Sequence, residues 1–147
     1  MMFSYLYDPQ AIKNNAMQSY SNFQNAALLI LRIIIAVIFY VAAYYKFPFW
    51  STVPPGTSAF MLFTTRLLSI VEPLGATAVL FGFLTRWAAW GLIIVLLGAI
   101  YVSQFVYHIG FVMPTSPGWN FPLSVLTGCL ILAAFGAGRW SIDNRGR

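Results

Sequence analysis

Four ionisable side chains, Arg32, Lys46, Arg66 and Glu72, lie in stretches of sequence apolar enough to sit in lipid. A charge in such a stretch is costly, so it marks either function or an internal pair. Glu72 is the most telling, because Pro73 follows it in the run SIVEPLGATAVLFGFLTRW. Proline lacks an N–H and clashes with the carbonyl four residues back, so a helix through Pro73 bends and frees the Ser69 carbonyl. A carboxylate and a free carbonyl at one level want a cation, a donor or water. Lys46 and Arg66 stand in the same, outer half of the membrane and can serve. Further on, Tyr101, Gln104 and His108 are spaced at three and four, a polar stripe on one helical face. If that stripe faces Glu72, the node holds an acid, a base, a phenol and one or two cations. Two chemistries fit it: a structural tie between helices, or proton transfer and the binding of a polar ligand. His108, at the helix end, is either a solvated boundary residue or part of that node.

The elements that must position these groups follow from composition. Of 147 residues, 60% are hydrophobic, 18% aromatic and only 7% charged. A water-soluble chain of this size lacks the polar surface to cover so much apolar material. Four apolar segments are each long enough to cross a hydrocarbon core of about 30 Å. They run from about residue 26 to 45, from between 58 and 67 to about 84, from 87 to 107, and from 121 to 137. In lipid they must be helices, because an open strand leaves backbone groups unpaired. The turn LTR between the second and third allows only an antiparallel hairpin. The expected architecture is therefore all-α, an antiparallel four-helix membrane bundle over residues 26–138. A polar tail, 1–25, precedes it and a short tail, 139–147, follows. In the first tail Asp8-Pro9 reads as a helix start, which gives either a short helix on the membrane surface or a disordered segment.

Two faces should pack inward. Arg32, Ala36, Phe39, Ala43 and Lys46 share a stripe on the first helix, and Glu72, Gly75, Ala76, Val79 and Gly82 share one on the second. Both are rich in small residues, which let helices approach closely. Arg32 then acts as an anchor, snorkelling to phosphates or capping carbonyls.

Several classes are excluded. The net charge of +5 comes from scattered cations, not from a basic run, so it does not point to nucleic acid. One histidine cannot supply a bis-histidine haem site, and the lone Cys129 can form no internal disulfide or CxxC pair, so it reads as a small core residue. No metal site is expected. Lys13, Arg86, Arg139, Arg145 and Arg147 fall on one side of the bundle, against Lys46 and Arg66 on the other. The positive-inside rule then places both termini in the cytoplasm. Trp50, Trp87, Trp119 and Trp140 fall near segment ends, as an interfacial aromatic belt does. In the closing GAGRWSID, Gly136 and Gly138 let the fourth helix end, Arg139 meets its carbonyl end, and Asp143 is free to pair with Arg86 or Arg139.

Three stretches, LILRIIIAVIFYVAAYYKF, VEPLGATAVLFGFLTRWAA and GAGRWSID, occur in this order over residues 28–143. Together they resemble the DoxX family of small four-helix membrane proteins. The positions that match its motifs are Arg32, Lys46, Glu72, Arg86, Arg139 and Asp143. The loop KFPFWSTVPPGTS matches none of them. The family resemblance implies a membrane component associated with quinol oxidases or with thiosulfate:quinone oxidoreductase. The expectation is thus a small accessory subunit of a membrane-bound electron-transfer complex, docked on larger membrane subunits in a bacterial inner (plasma) membrane. It would not be catalytic alone, and would carry no covalent cofactor but bound lipid. The alternative is a quinone-reactive subunit built on Glu72, Lys46, Arg66, Tyr101, Gln104 and His108. A small-solute transporter fits less well, since four helices leave little lumen and no inverted repeat is visible.

Overall fold

The structure, a computed structural model, describes residues 9–114 and 118–144, with side chains from residue 21 to 143. It is all-helical among these residues, with four α-helices: α1 Pro9–Tyr44, α2 Ala59–Phe81, α3 Thr85–Tyr101 and α4 Asn120–Phe135. A π-helical turn, Val102–Val106, extends α3, and short 3-10 turns cover Phe47–Trp50 and Ile142–Asn144. α1 packs along α2, and α3 along α4, with thinner contacts between α2 and α3 and between α1 and α4. Three helical stretches, Ser21–Trp50, Ala59–Phe81 and Thr85–Val106, are long and apolar enough to cross a membrane.

Local chemistry sets the boundaries. The Ser58 hydroxyl accepts from the Met61 N–H at 3.2 Å and starts α2. Gly82, at φ +69°, ends it in the left-handed conformation that glycine adopts without strain. Leu84, also at positive φ, completes the tight turn into α3. Gly136 closes α4 after 16 residues, about 24 Å of helix. That is shorter than the full crossing expected of the fourth segment.

The N-terminal expectation also changes. α1 is one helix of 36 residues that passes through residue 25 without a break, so residues 9–25 are neither a separate surface helix nor an irregular tail. Asp8, read as its cap, lies outside the described residues, as do Arg145 and Arg147, and the side chain of Lys13 is likewise not described.

The core is where the two predicted stripes meet. Ile35, Ala36, Phe39, Ala76, Val79, Ala89, Leu92, Cys129 and Leu132 are buried in one cluster. Gly75 belongs to this contact: a Cβ there would come within 2.9 Å of Leu92 Cδ2. The outer faces of all four helices expose large apolar side chains, among them Ile34, Val37, Phe63, Leu74, Ile94, Leu97 and Phe135. A surface of that kind suits lipid or the apolar face of another membrane protein.

Candidate functional site

Lys46 and Glu72 form an ion pair across the α1–α2 seam. Lys46 Nζ donates to Glu72 Oε2 at 2.6 Å and to the Ala42 carbonyl at 3.1 Å. The Glu72 side chain is 4% exposed and that of Lys46 23%. α1 ends at Tyr44, so Lys46 stands in the turn just past the helix and its stem runs back along α1. Glu72 sits 13 residues from one end of α2 and 9 from the other, about 20 Å and 14 Å along the axis. The acid thus lies near the middle of its helix.

A second cluster braces the same seam. The Trp50 indole donates to Ser69 Oγ at 3.0 Å, and that hydroxyl donates to the Arg66 carbonyl at 2.7 Å. Arg66 Nε donates to the Phe49 carbonyl at 3.1 Å, and its guanidinium lies 5.4 Å from the Trp50 ring centre, within cation–π range. Arg66 therefore fastens the Phe47–Trp50 turn to α2, and the cation that faces Glu72 is Lys46. It is the Ser69 hydroxyl, not the carbonyl freed by Pro73, that takes the cross-seam bond from Trp50. One turn further along α2, Thr77 Oγ1 donates to the Pro73 carbonyl at 2.6 Å and lies 2.7 Å from the Tyr40 hydroxyl. Since the Thr77 proton is committed to Pro73, Tyr40 is the donor of that pair.

The polar stripe of α3 does not join this node. Tyr101, Gln104 and His108 are exposed. Tyr101 stacks at a tilt on Phe105, and the neighbouring Tyr107 hydroxyl reaches Met61 Sδ. Met61 is 11 residues before Glu72, about 16 Å along α2, so the far end of the stripe stands well above the ion pair. The physical reason is the π-helical turn over Val102–Val106, which breaks the 3.6-residue phase on which the stripe was read. His108 follows it at φ +51°, a turn conformation.

At the other end of the bundle Arg32 is buried, with 2% of its surface exposed. Its Nε donates to the Val79 carbonyl at 3.0 Å and Nη2 to the Leu80 carbonyl at 2.6 Å. Nη1 donates to Ala137 and Trp140 carbonyls at 2.9 and 2.8 Å. One guanidinium thus joins α1 to the carbonyl end of α2 and to the segment that leaves α4. The Val79 and Leu80 carbonyls belong to the last turn of α2, where a cation is favoured. The Asn25 side chain reinforces the joint by accepting from the Arg139 N–H at 2.8 Å.

Asp143 completes this end. Its Oδ1 accepts from the Leu84 N–H at 2.8 Å and its Oδ2 from the Thr85 N–H at 2.9 Å. The Asp143 N–H in turn donates to the Gly82 carbonyl at 2.9 Å. Both carboxylate oxygens therefore cap the start of α3, a role different from the pairing with Arg86 or Arg139 expected from their place on one side of the bundle. Burial opposes ionisation of this carboxyl, but the Thr85 and Leu84 donors and the Arg32 charge together hold it below its ordinary range. Arg86 is exposed and lies beside Gly136, and Arg139 is exposed at the rim of the tail. Among the described residues no three His, Cys, Asp or Glu side chains gather as a metal site would require.

Neither Trp50 nor Ser69 stands out from sequence as a site residue; the signal available was a tryptophan four residues after Lys46, on a loop bound to return along α2.

Apolar helices long enough to span a bilayer, tied inside by an ion pair and a carbonyl-capping arginine, define a small integral membrane protein in contact with lipid. The chain belongs to the DoxX family, whose model matches residues 27–108, more than half of its length. It is also similar to an uncharacterized membrane protein of Mycobacterium tuberculosis, 29% identical over 131 residues, covering 81% of this chain and 80% of that one. No solved structure matches it.

Proposed function

We propose that this DoxX-family chain is an accessory subunit of a membrane-bound electron-transfer complex, seated in the inner membrane with both termini cytoplasmic. One observation carries the reading. Each of the four ionisable groups in the apolar segments has a partner within the chain: Lys46 with Glu72, Arg66 with Phe49 and Trp50, and Arg32 with four carbonyls. Groups engaged in this way hold the bundle together and leave its apolar exterior to bind lipid and larger membrane subunits. A quinone-reactive centre asks for the reverse, donors and a proton relay converging on an open slot. The orientation rests on the count of Lys and Arg at the end that carries Arg86 and Arg139.

The test is to isolate the tagged chain from its native membrane in mild detergent, with wild type beside Glu72→Gln. The accessory reading expects larger membrane subunits in fixed ratio with the wild type. It also expects Glu72→Gln to lower the amount of assembled complex while quinol turnover per assembled complex is unchanged. Full assembly with reduced turnover per complex would instead assign Glu72 to quinone chemistry. A chain that purifies alone and is fully active alone would overturn the accessory reading.

A further inference from the structure

A cavity of about 480 Å³ opens beside Arg32, between the end of α2 and the segment after α4. Leu80, Phe81 and Ile142 supply apolar wall, Trp140 an aromatic edge, and Arg32 and Arg139 two guanidinium groups. Guanidinium carries five N–H donors, and the four carbonyl bonds of Arg32 leave one on Nη2. The four acceptors are neutral carbonyls. Asp143 adds long-range attraction, yet both of its oxygens are committed to the start of α3. Among the described residues no carboxylate lies within 4.0 Å of Arg32, so its charge is solvated by dipoles.

We infer that this cavity binds the phosphate of an anionic phospholipid. A buried cation without a contacting anion, a second guanidinium at the rim and apolar walls behind them fit a group with a charged head and a hydrocarbon tail. Arginine suits the head, because its planar fork matches phosphate oxygens. The position suits the tail: the cavity lies at the helix-end plane marked by exposed Trp87 and Trp140, where interfacial aromatics sit. Basic pockets between spanning helices are known places for acidic headgroups. The second cavity of this end, about 360 Å³ beside Arg86, is lined by the Asp143 carboxylate, which repels a phosphate. It therefore serves as the internal comparison.

The inference is tested on the full-length chain in detergent, delipidated and then titrated with phosphatidylglycerol, phosphatidylcholine or inorganic phosphate. Native mass spectrometry reads retained lipid, and thermal stability reads binding. Phosphatidylglycerol should be retained as one molecule per chain and should raise the melting temperature, with phosphatidylcholine far weaker. Arg32 holds the fold, so the variant is Arg139→Gln. It should weaken phosphatidylglycerol binding about tenfold, the effect of one charged hydrogen bond, measured against phosphatidylcholine on the same folded variant. Arg86→Gln should leave the binding unchanged. Equal retention of the two lipids, or full binding by Arg139→Gln, overturns the inference. Saturation by inorganic phosphate as readily as by phosphatidylglycerol overturns the lipid as its source.

Discussion

Lys46 and Glu72, 26 positions apart, meet at 2.6 Å across the α1–α2 seam, at a point where α1 has just ended and α2 is near its middle. The pair therefore fixes how far α1 slides along α2. Removing one member leaves the other charged and buried, which costs about 3–5 kcal/mol. Glu72→Leu and Lys46→Met should each destabilise the purified chain on that scale, the first somewhat less because the Lys46 it leaves behind can reach solvent. The double change Lys46→Met with Glu72→Leu should recover most of the loss, since apolar replacements of a buried pair are often neutral. Unfolding measurements on the four proteins of this cycle give the coupling directly. Additive single effects would show that the two side chains do not act together.

Arg32 makes a stronger demand on geometry. Four carbonyls from α2 and the post-α4 segment converge on a fork of three nitrogens. A lysine ammonium keeps the charge but is a point donor and cannot reach acceptors spread over that plane. Arg32→Lys should therefore destabilise the chain by at least about 1–3 kcal/mol, the cost of one buried acceptor left unmade. The loss should be accompanied by easier proteolysis after residue 136. An Arg32→Lys chain with wild-type melting and protease resistance would show that charge alone suffices.

The inward stripes on α1 and α2 are legible in the sequence because they depend only on helical spacing and residue size. Arg32, Ala36, Phe39 and Ala43 are all 3% exposed or less, and Glu72, Ala76 and Val79 are buried on the facing side. The helix ends and their ties are harder to read. Arg32 binds carbonyls 47 and 105 positions away, and a carbonyl carries no residue-type signature. Asp143 binds N–H groups 59 and 58 positions away for the same reason. The α3 stripe misleads because a π-helical turn leaves no mark in a count by threes and fours. Choosing Lys46 over Arg66 for Glu72 required the path of the Phe47–Trp50 turn, which the loop sequence does not dictate.

Asp143 gives stability a dependence on pH. Its folded-state carboxyl is held below the ordinary range, so the unfolded chain binds a proton first as pH falls. Its contribution is fully present above the unfolded pKa and is lost as pH drops through the lower, folded value. The melting temperature of wild type should therefore decline on acidification from neutral pH into that range. Asp143→Asn keeps one acceptor for the α3 N–H groups and loses the other. It should melt lower at neutral pH and converge with wild type in acid. A constant gap between the two at every pH would remove Asp143 from the acid transition.

Gly82, just before α3, and Gly98, inside it, predict opposite outcomes. Gly82 has φ +69°, and an added Cβ would fall onto the Ser141 side chain and within 3.1 Å of Ala137 Cβ. Gly82→Ala combines backbone strain with a clash against the segment that Arg32 and Asp143 hold in place. Strain alone costs about 1–3 kcal/mol, and the displaced tail adds the loss of its hydrogen bonds. Gly98 stands inside α3 at ordinary φ, and a Cβ there meets nothing within 4 Å. In a helix interior alanine is preferred over glycine by about 0.8–1.0 kcal/mol, so Gly98→Ala should stabilise the purified chain. Thermal unfolding of the two variants in one detergent separates them by sign. If Gly82→Ala is tolerated as well as Gly98→Ala, the tail does not pack beneath the α2–α3 turn, and the joint centred on Arg32 loses its second half.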